Sequence, residues 1–372
     1  MQTNNAALDE NLKRIRAGIN ETDDLLLELL NRRAALSIEA GRIKARDNSP
    51  VFRPGREEEV LDRLRAANTG PLPNEHLLSV YREILSSSRA LQRSLLVAFL
   101  GPEGTFSHMA CLEYFGAGVN AAPMPSLEHV FVAVRKRECD LGIVPVENSV
   151  NGTVVQSMDL FATQEVYVQA EHFSRIRLCL VSAESSPDAV DSVYSHAQAL
   201  GQCANWLRDK MPNAARISLE SSALAARRAA KEKGAAAICH PSMAENLGLN
   251  ILASGIEDVP DNMTRFFIIG PDEAGEKEDK AAQMRSSILF LLADRPGSLA
   301  SVLQIFFRAG INLSKLESRP MRGESWKYVF FADLDCDLRA AKHILLVEEL
   351  RACCLRLRLL GSYPRGVYTQ KI

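Results

Sequence analysis

The sequence predicts a multi-domain protein in which an all-α module precedes an α/β unit and a small α+β domain. The chain has 372 residues, which is more than one hydrophobic core usually serves. Its first part repeats apolar residues at helical spacing, its middle part alternates strands with helices, and its last part has the order β-α-β-β-α-β. The expected domains are residues 1–95, 96–270 and 285–372, with a linker at 271–284.

The composition is typical of a soluble globular protein, with 47% hydrophobic and 24% charged residues. A net charge of −2 argues against a nucleic-acid-binding protein, which usually carries a basic excess. Charges run through the amino-terminal stretch and no apolar run reaches the roughly 18 residues of a membrane span, so we expect neither signal peptide nor membrane anchor. The eight cysteines form no C-x-x-C pair, which indicates reduced, buried thiols in a cytoplasmic protein.

The all-α module is predicted to begin with one long helix, because apolar residues recur at alternating spacings of four and three. About 39 residues would span roughly 58 Å, so this helix is expected to bury its seam against a second copy of the chain. Residues 48–50 and Pro54 should end it, and shorter helices are predicted at about residues 56–67 and 74–93. The seam consists of Leu8, Leu12, Ile15, Ile19, Thr22, Leu26, Leu29, Arg33, Leu36, Ala40 and Ile43.

Polar residues interrupt these apolar faces. Arg33 lies on the seam, and a buried unpaired charge is very costly, so it needs an anionic partner. Ser88 and Gln92 continue the apolar line of the third helix at i, i+4 spacing. The pattern indicates either a ligand site or a satisfied internal network, in which Glu57 would be the salt-bridge partner of Arg33.

These helices resemble the all-helical chorismate mutases, with their R-x-x-I-x-x-x-D and L-L-x-x-R-x-x-L…K spacings. The resemblance covers nearly all of residues 8–93 and implies a domain-exchanged homodimer with two sites, each receiving one arginine from the other subunit. Arg53 is a departure, because some relatives have an acidic residue there. The matching positions are Arg16, Ile19, Asp23, Leu26, Leu29, Leu30, Arg33, Leu36, Lys44, Arg56, Glu57, Ser88 and Gln92.

The resemblance implies rearrangement of chorismate, a pericyclic reaction that needs no nucleophile. Catalysis then requires holding the compact conformer and stabilising the charge that develops on the ether oxygen. The implied residues are Arg16 of the partner subunit and Arg33 for the two carboxylates, Lys44 and Gln92 for the ether oxygen, Glu57 for the ring hydroxyl, and Arg56 with Ser88 in support.

Polar residues follow four apolar strands of the α/β unit, at about residues 101, 147, 195 and 240. In sheets with much parallel pairing, ligands bind at the carboxyl ends of the strands. A further stretch, residues 261–269, carries a hydroxyl beside a guanidinium at the start of a strand. This arrangement can bind an anion and donate a proton. Taken alone, that stretch equally describes a surface turn entering an edge strand.

Other chemistries are not indicated in the α/β unit. Gly101-x-x-Gly104 lacks the third glycine of a dinucleotide fingerprint, and no G-x-S-x-G elbow is present. His108, His196 and His240 lack the spacing of metal ligands, and isolated histidines are more often capping or surface residues. We therefore expect neither a metal nor a cofactor.

Together these stretches resemble prephenate dehydratase. The resemblance implies two α/β lobes, like those of periplasmic binding proteins, with the site in the cleft between them. Ser222 stands where relatives often have threonine, a change that keeps the hydroxyl. The matches are residues 101–107, 144–152, 195–200, 220–223 and 264–266.

In the implied reaction, prephenate loses its ring hydroxyl as water and its ring carboxylate as CO₂. Thr264 is expected to act on the leaving hydroxyl, and Arg265 either anchors a carboxylate or is structural. Because threonine is a poor acid, a proton relay through Glu147 or His196 is left open. The expected positioning groups are Asn148, Ser149, Ser195 and Gln198.

The last domain is predicted to be ferredoxin-like and resembles the ACT regulatory domain. Residues 297–300 and 317–320 correspond to its phenylalanine-binding motifs, although Ser298 and Ala300 depart from the usual residues. A purely structural subdomain is the alternative. The implied effector-binding residues are Gly297, Ser298, Leu299, Glu317, Ser318 and Arg319.

The combined resemblance implies a bifunctional enzyme of phenylalanine biosynthesis. It would rearrange chorismate to prephenate, convert prephenate to phenylpyruvate, and be inhibited by L-phenylalanine, as a homodimer or higher oligomer. Two alternatives remain: an amino-acid-sensing binding protein that has lost one or both catalytic sites, and an enzyme with one active and one structural half. Loss of catalysis should appear as missing polar groups, yet Arg33, Lys44, Gln92, Thr264 and Arg265 are all present.

Overall fold

The computed structural model describes residues 2–46, 52, 54–273, 283–320 and 328–366, with only the backbone of residues 2–8 and 54. The expected helix end at residues 48–50, the departure at Arg53 and most of the predicted linker lie outside the described residues. Within them, no helix is long and apolar enough to cross a membrane. All eight cysteines are free thiols, and five are buried. Cys353 differs from the expected burial, because it lies on the outer side of a helix end.

The amino-terminal module is all-α, as predicted. Its first helix packs against the third, while the apolar seam remains largely exposed, with Ile19 53% and Leu36 60% accessible. Within the described part of the chain, the seam is half-buried only at Arg33 and Ala40, where α3 packs against α1. The helices are α1 (Gln2–Arg46), α2 (Pro54–Ala67) and α3 (Asn74–Gln92).

The middle unit alternates strands and helices. Several helices begin after a capping hydroxyl, as at Thr105, Ser126 and Ser221, whose oxygen accepts the backbone N–H three residues later. In chain order the elements are β1 (Leu96–Leu100), α4 (Phe106–Phe115), β2 (Asn120–Met124), α5 (Leu127–Arg135), β3 (Leu141–Asn148), β4 (Gly152–Thr153), α6 (Val155–Thr163), β5 (Tyr167–Arg175), β6 (Cys179–Ser182), β7 (Ser192–His196), α7 (Ala197–Gln202), α8 (Ala204–Lys210), β8 (Ala215–Leu219), α9 (Ser222–Ala229), β9 (Ala235–Cys239), α10 (Ser242–Leu247), β10 (Asn250–Ser254) and β11 (Met263–Gly270).

These elements form two lobes, each built on its own sheet. The first lobe has the strand order β2-β1-β3-β11-β5, with β4 paired to β3, and the second has the order β10-β6-β9-β7-β8. In the first lobe β1, β2 and β3 run parallel, while β11 is antiparallel to both β3 and β5. The chain leaves the first lobe after β5 and returns to it at β11, so two segments cross between the lobes.

The two crossing segments are held together by hydrogen bonds to backbone carbonyls of the return segment. The amide of Ile176 donates to the carbonyl of Asn262 at 2.8 Å. Arg175 donates from its guanidinium to the carbonyl of Pro260 at 2.7 Å. The return segment therefore enters β11 in a fixed position, directly before Met263 and Thr264.

The carboxyl-terminal domain has the predicted β-α-β-β-α-β order and an antiparallel sheet with the strand order of a ferredoxin-like fold. The helices cover one face of this sheet, and its other face shares a hydrophobic core with the first lobe through residues such as Phe331, Leu360 and Phe267. The elements are β12 (Met284–Leu291), α11 (Ser298–Arg308), β13 (Leu313–Pro320), β14 (Tyr328–Leu334), α12 (Ile344–Cys353) and β15 (Arg356–Pro364).

Buried charges fasten this sheet to the first lobe. Arg265 on β11 donates to Glu171 on β5 at 2.7 Å and to Asp333 on β14 at 2.5 Å. Arg285 on β12 donates to the same Glu171 at 3.0 Å. The hydroxyl of Tyr363 lies 3.3 Å from Arg265. Burial lowers the pKa of Arg265, but Asp333, Tyr363 and Glu171 raise it above its ordinary value, so the guanidinium stays charged.

Removing one carboxylate from this cluster should destabilise the protein strongly. Asp333→Ala leaves the buried Arg265 short of a counter-charge, and breaking a buried ion pair typically costs about 3–5 kcal/mol. We expect a clear fall in the thermal unfolding midpoint of the purified chain.

Asp272→Ala is the matched control, because Asp272 also pairs with an arginine, Arg137, at 2.7 Å. Both members of this pair are about two-thirds exposed, so loss of the ion pair should cost only ~0–1 kcal/mol. Equal shifts for the two variants would contradict the role given to the buried cluster.

Candidate active sites

The first candidate site lies where α1 packs against α3. The guanidinium of Arg33 donates to the hydroxyl of Ser88, which itself donates to the carbonyl of Ile84 at 2.7 Å. Among the described residues no carboxylate pairs with Arg33, and Glu57 pairs with Arg89 at 2.5 Å instead. The internal salt bridge considered as an alternative for Arg33 is therefore not formed.

A second pair lies about three turns further along α1 and one turn further along α3. Lys44 donates to Gln92 Oε1 at 3.2 Å. An ammonium group can only donate hydrogen bonds, so it fixes the orientation of the Gln92 amide with its oxygen toward Lys44. The Gln92 Nε2 group is then the end that remains available to donate to a bound molecule.

Close helix packing at this pair depends on a glycine that the sequence analysis did not single out. A Cβ atom on Gly41 would lie 2.9 Å from Gln92 Cα, which is closer than real contacts allow. Only glycine lets α1 approach α3 so closely at this point. A small residue three positions before Lys44 was the available signal.

Two predicted residues of the helical module lie away from the group around Arg33. Arg16 and Arg33 are on the same continuous helix, about 26 Å apart along its axis, so Arg16 cannot reach the group around its own Arg33. Arg56 is 64% exposed and pairs with Glu59 at 2.9 Å. The described structure does not bring it into contact with Arg33.

Arg89 is a buried residue that sequence reasoning missed. It pairs with Glu57 on α2 and donates to the carbonyl of Phe115 at the end of α4. Its guanidinium also lies over the rings of Phe52 and Phe115. Arg89 therefore joins the helical module to the first lobe, and its guanidinium forms an ion pair with the carboxylate of Glu57.

The second candidate site lies where β3 and β11 end beside the cleft, and Asn148 organises it. Its Oδ1 accepts the backbone N–H groups of Val150 at 3.1 Å and Asn151 at 3.0 Å. Backbone N–H groups can only donate, so the orientation of the Asn148 amide is fixed. Its Nδ2 then donates to Thr264 Oγ1 at 2.9 Å and to Asn262 Oδ1 at 2.7 Å.

This orientation leaves the proton of Thr264 free to be donated. The Thr264 oxygen accepts from Asn148, so its own hydrogen is not used in that bond. Ser149 holds the strand in place, because its hydroxyl accepts the Met263 N–H at 2.9 Å and its N–H donates to the Met263 carbonyl at 2.8 Å. The predicted grouping of Thr264 with Asn148 and Ser149 is what the structure contains.

Glu147 and Arg265 lie on the opposite face of the same strands from Asn148 and Thr264. This corrects the prediction that Glu147 binds prephenate, and for Arg265 it favours the structural alternative over the carboxylate anchor. Successive side chains in a strand point to opposite faces, and Asn148 pairs with Thr264 while Glu147 pairs with Arg265 in the β3–β11 register. Glu147 instead forms an ion pair with Lys315 on β13 at 3.0 Å. Neither residue, nor a relay through Glu147, reaches Thr264 from this side.

Ser195 is also corrected, because it lies in the interior of the second lobe. It is fully buried and donates its proton to the carbonyl of Ile238 at 2.6 Å, while its oxygen lies 3.0 Å from the Ser222 hydroxyl. Gln198 is exposed on α7 and lines a cavity of about 410 Å³ beside the crossing segments, together with Asn151 and Asn262. Gln198 therefore remains a candidate from the second lobe.

The histidines act as acceptors for backbone N–H groups, as expected for capping residues. Nδ1 of His108 accepts from Gly104 at 3.0 Å and Nδ1 of His196 accepts from Gln198 at 3.3 Å. Burial lowers the pKa of His108 and of His240. The described residues contain no cluster of side chains that could hold a metal ion.

The two predicted effector motifs carry unsatisfied donors. Gly297 has a φ of 85°, which favours glycine, and directly precedes α11. Ser298 Oγ and Arg319 Nε are buried with no hydrogen-bond partner among the described residues. Such orphans are rare without a ligand or a further partner.

The second motif also contacts the first lobe. The hydroxyl of Thr153 on β4 donates to Glu317. Ser318 points to the opposite face of β13 from Glu317 and Arg319, as the alternating burial of the strand shows. The three side chains therefore cannot all meet one ligand from the same face.

Three family profiles match the chain in sequence. They are Chorismate mutase type II over residues 15–93, Prephenate dehydratase over residues 97–274 and ACT domain over residues 286–352. The bifunctional chorismate mutase/prephenate dehydratase of Aquifex aeolicus (strain VF5) is 38% identical over 362 residues, covering 96% of this chain and 99% of that relative.

Solved structures are similar over about three-quarters of the chain. The prephenate dehydratase of Arthrobacter aurescens in complex with L-Phe is 31% identical, with a TM-score of 0.67, over 73% of this chain and 90% of that one. GqqA, described as a novel type of quorum quenching acylase, is 25% identical, with a TM-score of 0.65, over 73% of this chain and 97% of that one.

Proposed function

The chain belongs to the family of bifunctional chorismate mutase/prephenate dehydratases, and we propose which of its residues carry out each reaction. It rearranges chorismate to prephenate and converts prephenate to phenylpyruvate. One observation carries the assignment of residues. In each site an obligate donor orients a side-chain amide, and this leaves a neutral donor available, the Gln92 Nε2 group in one site and the Thr264 hydroxyl in the other.

In the mutase site, Arg33 binds a carboxylate of chorismate. Ser88 holds its guanidinium from behind, and no carboxylate of the described residues neutralises it. Lys44 and the Nε2 group of Gln92 stabilise the negative charge that develops on the ether oxygen as its C–O bond breaks. Glu57, which pairs with Arg89, remains our proposal for the ring hydroxyl on the family's pattern, with Arg56 as a further proposal.

The second carboxylate is bound by Arg16 of the partner subunit in a homodimer. The long exposed seam of α1 supports this proposal, because its apolar residues need cover. The distance of about 26 Å along α1 also places Arg16 beyond the reach of its own chain's site. We further propose the domain boundaries at residues 95, 270 and 285 and a cytoplasmic location, which the free thiols support.

Gln92→Ala should impair the mutase selectively. Loss of one donor to developing charge typically lowers kcat ~10²–10³-fold, while dehydratase activity on supplied prephenate persists. Chorismate consumption and phenylpyruvate formation, measured on one preparation, test both activities together. A Gln92→Ala enzyme with full mutase turnover would refute this role, and loss of both activities would indicate a folding defect.

In the dehydratase site, Thr264 donates its free proton in a hydrogen bond to the ring hydroxyl of prephenate. The bond between the ring and the carboxylate carbon breaks, its electron pair aromatises the ring, and the C–O bond electrons leave with the hydroxyl oxygen. Asn148 keeps the Thr264 oxygen as an acceptor, so that the hydroxyl hydrogen points to the substrate. Gln198 and Ser149 are proposed to position prephenate.

Thr264→Ala should abolish prephenate dehydration and leave the mutase rate near normal, because the two sites lie in different domains. Thr264→Ser keeps a hydroxyl that can accept from Asn148 and donate to the substrate, so part of the activity should remain. Steady-state assays on prephenate check both variants. If the Ala and Ser enzymes were equally inactive or equally active, the hydroxyl would not be the catalytic feature.

L-Phenylalanine inhibits this enzyme through the ACT domain, and we propose that it binds at the two motifs around residues 297–299 and 317–319. An amino acid brings a carboxylate, which suits the two orphaned donors of Ser298 and Arg319. Glu317 already contacts Thr153 of the first lobe. A ligand that engages this strand therefore acts next to the loop that follows Asn148.

Ser298→Ala should weaken phenylalanine inhibition without loss of stability, because the removed hydroxyl has no partner among the described residues of the unliganded chain. A net hydrogen bond of ~0.5–1.5 kcal/mol corresponds to roughly a 2- to 10-fold higher half-inhibitory phenylalanine concentration. Inhibition curves of the dehydratase measure it.

Ser301→Ala is the control on the same helix, since its hydroxyl donates to the carbonyl of Gly297 at 3.1 Å. Its inhibition curve should match that of the unchanged enzyme. Identical curves for both variants would remove Ser298 from the effector site.

A further inference from the structure

Asn262 carries a buried amide group that the roles given so far do not use. The residue is 1% exposed, and its Nδ2 atom has no hydrogen-bond partner among the described residues. A buried amide donor without a partner has lost its hydrogen bond to water and gained none in return, which destabilises the folded chain. Its presence beside an active site calls for an acceptor that a bound molecule would bring.

The neighbouring hydrogen bonds fix which end of this amide is unpaired. The N–H groups of Val150 and Asn151 orient Asn148, so Asn148 presents its Nδ2 to Asn262. Asn262 therefore accepts this hydrogen bond through its Oδ1 atom, which lies 2.7 Å from Asn148 Nδ2. Reversing the Asn262 amide would place two donors against each other, so the unpaired end is a donor.

This donor belongs to the same side of the chain as Thr264. Residues two apart in extended backbone face the same way, and Asn148 Nδ2 reaches both Asn262 Oδ1 and Thr264 Oγ1. The two oxygens therefore lie within two hydrogen-bond lengths of each other. Asn262 also lines the cavity of about 410 Å³ that Gln198 borders.

We propose that Asn262 and Thr264 form a two-donor site for the oxygen of the departing hydroxyl. This inference rests on the proposed dehydratase role of Thr264. As the C–O bond breaks, its electron pair stays on that oxygen, which becomes hydroxide and takes a proton from water, while the carboxylate leaves as CO₂. Two neutral donors aimed at the same oxygen stabilise this charge without a strong acid. Threonine alone, with its high pKa, would be a weak acid for this step.

The test combines Asn262→Ala and Asn262→Asp with Asn250→Asp as the control for an added charge. Asn250 is exposed on β10, and its amide donates to backbone carbonyls of the second lobe. In Asn262→Ala, Asn148 keeps Thr264 and the Met263 carbonyl as acceptors, so the Thr264 hydroxyl stays oriented. We expect a fall of about 10²-fold in dehydratase kcat, with a smaller change in KM and an unchanged mutase rate.

Asn262→Asp provides a readout that a purely structural role would not give. As a carboxylate it offers no donor, but once protonated it regains an O–H donor of nearly the same size. Dehydratase kcat should therefore rise as the pH falls through the pKa of the new carboxyl, while Asn250→Asp follows the unchanged enzyme. The charged groups on the same cavity, Glu257 and Asp258, each accept backbone N–H groups and are present in all variants.

The outcomes separate this inference from the proposed function. If Thr264→Ala is inactive but Asn262→Ala retains full kcat, the two-donor site is refuted and the role of Thr264 stands. A change in KM alone, or an Asn262→Asp profile parallel to that of Asn250→Asp, also refutes it. If Asn262→Ala loses mutase activity as well, the variant is misfolded. The pH profile of the isosteric Asn262→Asp variant then tests the two-donor site.

Discussion

One strand constrains both the catalysis and the assembly of the last two domains. Successive residues of β11 face opposite ways, so Thr264 faces the cleft while Arg265 enters a buried cluster with Glu171 and Asp333. Charges buried in this way must remain paired. The sheet that carries Asp333 therefore cannot separate from β11 without uncovering Arg265, the residue that follows Thr264.

Both active sites depend on the orientation of a side-chain amide. A side-chain amide can present either a donor or an acceptor, and catalysis at a departing oxygen needs the donor. Lys44 settles this for Gln92, and two backbone N–H groups settle it for Asn148. Each amide is oriented by groups that can only donate, so its orientation does not depend on the substrate.

The sequence was sufficient for the domain order and for residues whose partners follow from helical spacing. Arg33 with Ser88 and Lys44 with Gln92 were grouped correctly, because the family's spacing already relates their helices. Glu147 was expected in the prephenate site and Arg265 either there or in a structural role, because each adjoins a proposed site residue in sequence and only strand register shows which face it takes. Ser195 was also expected there, and its burial inside the second lobe does not follow from its sequence neighbours. Arg89 was missed because its partners, Glu57 and the Phe115 carbonyl, come from two other elements.

The junctions between domains follow from the same rule about buried polar groups. Arg89 closes the contact of the helical module with the first lobe, and the Ser86 hydroxyl there accepts the Gly118 N–H at 3.0 Å. Arg265 and Arg285 close the contact with the carboxyl-terminal sheet. Deleting the carboxyl-terminal domain would remove Asp333 from Arg265, which keeps Glu171, and would expose the apolar surface that the two sheets share. Loss of activity in a truncated chain would therefore report on the exposed junction as much as on the missing domain, and single substitutions separate the two.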